Sequence, residues 1–188
     1  TCLSNADPRR SDERSLGEQN GENIMRRIIS ILLENEFGAL SRVVGLFAQR
    51  GYNIDSLTVA PTDDETLSRI TLTTNGDDKM VEQIIKQLYK LIDTLKVMDL
   101  TEGAHVERGL MLIKIRSQDL AERGEIKSCV EIFRGSIVDI TSKTYTIQLV
   151  GDAEKLDAFL EATMHLDVVE VVRSGISGIS RGDKYLKV

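Results

Sequence analysis

The residues best suited to chemistry in this chain are Asn35 and Gly38, in the run Glu34-Asn35-Glu36-Phe37-Gly38-Ala39-Leu40-Ser41, together with Asn53 further on. The run follows an apolar, strand-like stretch, Ile28 to Leu33, and precedes one whose Leu40, Val44 and Phe47 recur at i, i+4 and i+7. That spacing predicts a strand-to-helix turn. A glycine at such a turn lets backbone N–H groups approach a ligand, and a helix start carries partial positive charge, so a small carboxylate is stabilised there. Asn35 and Asn53 bracket the turn with amides that both donate and accept. The predicted chemistry is capture of something small carrying a carboxylate and an ammonium. Asn and Gly also fill turns because they tolerate unusual backbone angles, so the pattern by itself leaves a purely structural turn open.

Other reactive residues are poorly arranged. His105 and His165 lie far apart, and neither has Cys or carboxylate neighbours at a metal-ligand spacing. No nucleophile elbow or phosphate-binding loop occurs, and Ser30, Ser41, Ser56 and Ser68 have no His–Asp partners by motif. The pairs Asp63-Asp64 and Asp77-Asp78 fall in expected turns and read as solvated caps. The spaced glycines of Ser174 to Asp183 follow a strand, but no helix-forming run follows them, so a nucleotide loop is excluded and a flexible or partner-ordered tail is expected.

The elements that must hold the turn repeat. Arg26–Glu34 reads as a strand, about Ala39–Arg50 as a helix closed by Gly51, Tyr52–Ala60 and Thr66–Thr74 as a hairpin. A second helix carries Met80, Ile84, Leu88 and Leu91, and Thr94–Leu100 is a fourth strand. The order β-α-β-β-α-β predicts an α+β, ferredoxin-like unit. It returns as strand Leu110–Ile115, helix Asp119–Phe133 capped by Gly135, hairpin Ser136–Ile140 with Tyr145–Val150, a helix bearing Leu156, Phe159 and Leu160, and strand Val168–Val172. The two tandem units join through a short connection, Glu102 to Glu107, and should touch. After its first strand the second unit has Ser117-Gln118-Asp119-Leu120, with no glycine until Gly124, so the small-molecule site is expected in the first unit only.

Bulk composition narrows the class. With 188 residues, 41% of them hydrophobic and no Trp, the chain can build two small aliphatic cores. Twenty-four basic against 30 acidic residues give a net charge of −6, which argues against nucleic acid or an anionic membrane surface. An RNA-recognition module shares the element order, but Ile54–Ala60 and Arg69–Thr73 lack its stacking aromatics. Cys2 and Cys129 form no disulfide framework, and no apolar run reaches the roughly 20 residues of a membrane span, so a soluble protein of the reducing cytoplasm is expected. Residues 1-24 read as a flexible leader or extension.

Leu-Leu-Glu-Asn-Glu-Phe-Gly-Ala-Leu-Ser-Arg-Val at 32–43, Gln49 to Ile54 and Leu57 to Thr62 closely resemble the ACT domain of the acetolactate synthase small (regulatory) subunit. The likeness continues through Gly103 to Arg108, Glu131 to Gly135, Ser174-Gly175 and Ser180 to Lys184. It implies an effector-binding ACT domain over 25-102 and a C-terminal ferredoxin-like regulatory domain with a tail over 103-188. The resemblance further implies a homodimer with valine in its seam: Asn35, Gly38, Ala39 and Leu40 from one chain, Asn53 and Ile54 from the other, and Val59 and Ala60 along the apolar part. Phe37 stands where the family often has a smaller residue. The implied role is to activate the large catalytic subunit of branched-chain amino acid biosynthesis and confer valine feedback. No cofactor is implied in this chain, with thiamine diphosphate, magnesium and FAD expected in the catalytic partner. An amino-acid sensor acting on a different partner is the alternative.

Overall fold

Strand β1 (Met25–Glu34) is buried from Arg27 to Leu33, which is why its apolar run is continuous instead of alternating. Ile29, Ile31 and Leu33 point into a core beneath two helices, while Ile28, Ser30 and Leu32 face the opposite side of the sheet. The computed structural model describes residues 24–187, so the leader expected over residues 1-24 lies, apart from Ile24, outside them. After β1 come α1 (Ala39–Gln49), β2 (Ser56–Pro61), β3 (Leu67–Gly76), α2 (Asp78–Leu88) and β4 (Thr94–Asp99), forming an antiparallel sheet in the order β2-β3-β1-β4. This is the expected ferredoxin-like arrangement.

The second unit repeats it with β5 (His105–Arg116), α3 (Leu120–Ile132), β6 (Ser136–Ile140), β7 (Thr144–Gly151), α4 (Ala153–Thr163) and β8 (Asp167–Arg173), ordered β6-β7-β5-β8. Met111, Ile113 and Ile115 of β5 alternate into a core with Ile126, Val130 and Phe159. Each such apolar side chain contributes about 1.5–3 kcal/mol on leaving water.

The structure corrects several expectations. The core face of α1 is Ala39, Val43 and Phe47, and the Leu40–Val44 stripe lies one position round, still partly in solvent. The second strand starts at Ser56, because Tyr52 packs back on Phe47 at the helix end, ring to ring at 6.0 Å. Half of the expected connection is strand, since β5 begins at His105. Helix α3 is closed by Arg134 in the left-handed region (φ 53°), not by Gly135. Arg134 N–H donates to the Glu131 carbonyl and Gly135 N–H to the Val130 carbonyl, which satisfies the last turn.

The tail is ordered, contrary to expectation. β9 (Ser177–Ser180) pairs with His105–Arg108 of β5 and lies against the helix-free face of the first sheet. Ile176 there joins Ile28 and Leu100 in a small shared core. Gly175 makes this possible: a Cβ on it would sit 2.6 Å from the Leu57 carbonyl oxygen, so a side chain would lift the tail from β2. The units also meet through Arg26, whose guanidinium donates to Glu107 at 3.0 and 3.1 Å.

Candidate functional site

Gly38 is the N-cap of α1, with φ 81° and ψ −2°, and it supplies no side-chain cap. No acidic residue stands in the first turn. Ala39 N–H donates to the Glu36 carbonyl at 3.1 Å and Arg42 N–H to the Gly38 carbonyl at 2.9 Å. Between them, the N–H groups of Leu40 and Ser41 have no partner among the described residues. Two donors thus stand open in the positive field of the helix start.

The turn is held rigidly by its own chain. Asn35 N–H donates to the Thr66 carbonyl at 2.7 Å, its Nδ2 to the Glu65 carbonyl at 3.0 Å, and its Oδ1 accepts from Ser68 Oγ at 2.9 Å. Asn35 therefore pins the turn to the β2–β3 loop and keeps one amide proton for anything else. Arg42, which the sequence pattern did not single out, forms a fork on Asp93: Nε donates to Oδ2 at 2.5 Å and a terminal nitrogen to Oδ1 at 2.8 Å. The same guanidinium reaches the Phe37 carbonyl at 3.4 Å. That fork holds the Asp93 carboxyl below the usual carboxylate range and raises Arg42 further still. Asp93 also receives Glu34 N–H on its backbone carbonyl, so a single residue ties the end of β1 to the start of α1.

The sequence-predicted residues separate into two groups. Asn35, Gly38, Ala39 and Leu40 share the turn, although the Ala39 side chain is in the core and only its backbone can face a ligand. Asn53 and Ile54 lie at the other end of the sheet, where the Asn53 carbonyl accepts from Thr74 Oγ1 and its amide donates to Asp55 at 2.6 Å. Their partners are Thr66, just before β3, and Thr74 within it, eight positions apart and about 25 Å at the strand rise. One amino acid cannot touch both groups within one chain. Val59 is paired with Ile70 and points to the helix side, and Ala60 is paired with Arg69 and points to the opposite face. Phe37 is fully exposed at the tip of the turn.

Elsewhere, buried Arg27 meets Asp78 and lies 3.7 Å from Asp99, a structural ion pair under α2. Cys129 packs against the second core, where burial raises its thiol pKa. Among the described residues no group of three or more His, Cys, Asp or Glu could hold a metal ion. No described helix is long and apolar enough to cross a membrane.

Comparison with known proteins agrees with this architecture. Residues 29–96 match a family profile described as an AHAS small subunit-like ACT domain, and residues 108–182 match the small subunit of acetolactate synthase. The acetolactate synthase isozyme 3 small subunits of Salmonella typhimurium and Escherichia coli are each 60% identical over 164 residues, which is 87% of this chain and 100% of theirs. The crystal structure of an acetolactate synthase small subunit from Thermotoga maritima superposes with a TM-score of 0.77 at 38% identity, covering 86% of this chain and 100% of that one. With both halves matched and relatives spanned from end to end, this chain belongs to the acetolactate synthase small subunit family.

Proposed function

We propose that this chain performs no chemistry itself and regulates an acetolactate synthase catalytic subunit, raising its activity and making it sensitive to valine. The observation that carries this reading is the open start of α1, with a glycine N-cap, no acid in its first turn, and the Leu40 and Ser41 N–H groups unpartnered among the described residues. A valine carboxylate would accept from those donors beside the Arg42 guanidinium, and a hydrogen bond to a charged group contributes about 1.5–3 kcal/mol.

The second half of the pocket would come from another copy. Asn53 and Ile54 are too far from the turn to serve it in their own chain, whereas β2 is an open sheet edge and can pair with a second β2. Leu40 (36% exposed), Val44 (38%) and Val59 (42%) form apolar surface beside that edge, suited to burial in a homodimer. Val59 from the helix side and Ala60 from the other would then line the seam near the isopropyl group. The effector site occupies 25-102, and 103-188 acts as the regulatory partner unit. Thiamine diphosphate, magnesium and FAD belong to the catalytic subunit, and the assembly works in the cytoplasm of the branched-chain amino acid pathway.

Valine regulates only if it binds one dimer arrangement more tightly than the other, and a coupling of about 1–3 kcal/mol changes activity several-fold or more. The test is calorimetric titration of valine into the purified chain and into Gly38→Asp, which places a carboxylate at the anion site. Valine binding should be saturable in the first and at least ~30-fold weaker in the second, since like charges brought together cost several kcal/mol. Binding unchanged in Gly38→Asp removes the site. Affinity capture recovering a protein other than the large synthase subunit removes the partner.

A further inference from the structure

The helix-free face of the first sheet and the returning tail enclose a cleft of about 560 Å³. Leu32, Thr58, Ala60 and Thr71 form its floor, and Val106, Gly178 and Ile179 rise on the other side. A second chamber of about 540 Å³ continues past Leu67 and Tyr185, and Arg69 stands where the two meet.

Among the described arginines, Arg69 combines burial with the lack of a carboxylate partner. Arg26, Arg27, Arg42, Arg116 and Arg173 each meet a carboxylate. Half-buried Arg69 instead donates from Nε to Ser30 Oγ at 2.9 Å and from a terminal nitrogen to the Gly178 carbonyl at 2.9 Å. Burial alone shifts it, lowering its pKa, and no carboxylate opposes the shift. Two of its five protons are used, so the fork is locked in orientation with donors to spare. Arg108, which also lines the cleft, donates among the described residues only to the neighbouring Glu107 carbonyl. The Thr58 hydroxyl, packed against Gly175, is buried without a partner among the described residues. Uncompensated charge beside apolar walls is costly unless an anion completes it.

We propose that this cleft binds a small organic carboxylate with a branched apolar body, its carboxylate on Arg69 and Arg108 and its body against Leu32, Val106 and Ile179. The site is on the opposite face of the sheet from the start of α1, shares only Ala60 with the valine reading and uses none of the donors on which that reading rests. A planar guanidinium fork suits a carboxylate, and apolar floor and roof suit a branched chain. Asp63 also lines the cleft, and an ammonium on the same ligand would find a partner there, so the source is an amino acid or its deaminated counterpart.

The experiment uses the whole chain and sodium isovalerate, with acetate as the bare anion, isobutanol as the bare body and valine as the ammonium-bearing analogue. Isovalerate should bind saturably and at least about tenfold more tightly than acetate or isobutanol, since either alone lacks half of the contacts. Arg69→Gln should weaken it by about tenfold or more, as expected for losing a charged hydrogen-bond partner, and Arg108→Gln by less. Because Arg69 also steadies Ser30 and Gly178, Ile179→Glu supplies an independent arm: Ile179 is 54% exposed, so a carboxylate there leaves the fold intact while repelling the ligand. Valine displacing isovalerate in the Gly38→Asp variant would identify amino acids as the source, and failure to displace would identify the deaminated acids. Absence of saturable isovalerate binding, or binding unmoved by both Arg69→Gln and Ile179→Glu, overturns the proposal. Loss of valine binding in Gly38→Asp with isovalerate binding intact would leave both sites standing separately.

Discussion

The two units share an element order and differ most where their first helices begin. At α3, Asp119 accepts from Glu122 N–H at 2.9 Å, and the Glu122 side chain accepts from Gln118 N–H at 2.6 Å, so cap and first turn satisfy each other. At α1, a glycine replaces the capping side chain and the acid is missing. One helix start is neutralised by its own sequence, while the other presents donors and a positive field outward. A capping side chain contributes about 1 kcal/mol, and the first unit forgoes it at the place where a ligand carboxylate could substitute. The difference between a structural helix and a receptive one is thus a matter of two or three side chains on a common scaffold.

The largest test of this comparison concerns the cores beneath those helices. Phe47 of α1 and Phe159 of α4 are the fully buried phenylalanines of the two cores, and truncating either to Ala should cost about 3–5 kcal/mol. Because Ile28, Leu100 and Ile176 share one cluster across the units, urea unfolding of each variant should remain a single transition at a lower midpoint. A leftover transition from the undamaged unit would show that the two stand independently.

A smaller effect should separate the units by pH. Asp93 is held low by Arg42, so its stabilising contribution is complete above the ordinary carboxylate pKa of about 4 and fades as pH falls toward the depressed folded value. Asp93→Asn should therefore lower the melting temperature at neutral pH and flatten its decline below about pH 4, while Asp64, held low by Thr66, titrates alike in both proteins. Parallel acid limbs for the two proteins would contradict this assignment.

The smallest effect is expected at the ends of the same helices. Gly51 at φ 70° closes α1, and Arg134 at φ 53° closes α3 in the same hydrogen-bond pattern. A non-glycine residue in that region carries about 1–2 kcal/mol of strain, partly returned by its stiffer unfolded chain. Arg134→Gly should thus raise stability by up to ~1 kcal/mol, with no matching gain available at Gly51. A loss in the thermal scan would mean that the Arg134 side chain contributes more than its backbone costs.

The element order was legible because strand and helix periods are local and the turns are marked by Gly51, Asp77, Asp119 and Asp152. What escaped depends on distant parts of the chain. Leu40 and Val44 have a helical period as good as that of Val43 and Phe47, and only the position of the sheet decides which stripe is covered. The pattern around Gly135 could not reveal that the left-handed residue is Arg134, because the hydrogen bonds of the last turn choose it. The tail offered small and polar residues without a period, and its order comes from β5 and Leu57, far back in sequence. At the site, Asn35 and Gly38 were readable as a turn, but the Arg42–Asp93 fork joins residues too far apart for any spacing rule.

The clasp of β9 over the first sheet has a consequence for biosynthesis. Leu100 leaves the ribosome 76 residues before Ile176, the residue that covers it and Ile28. At roughly 5–20 residues per second, the bare side of that sheet waits about 4–15 s for its cover. The half of the molecule translated earliest is then the half completed last, and an aliphatic surface stands unprotected for the interval in which a nascent chain meets its chaperones.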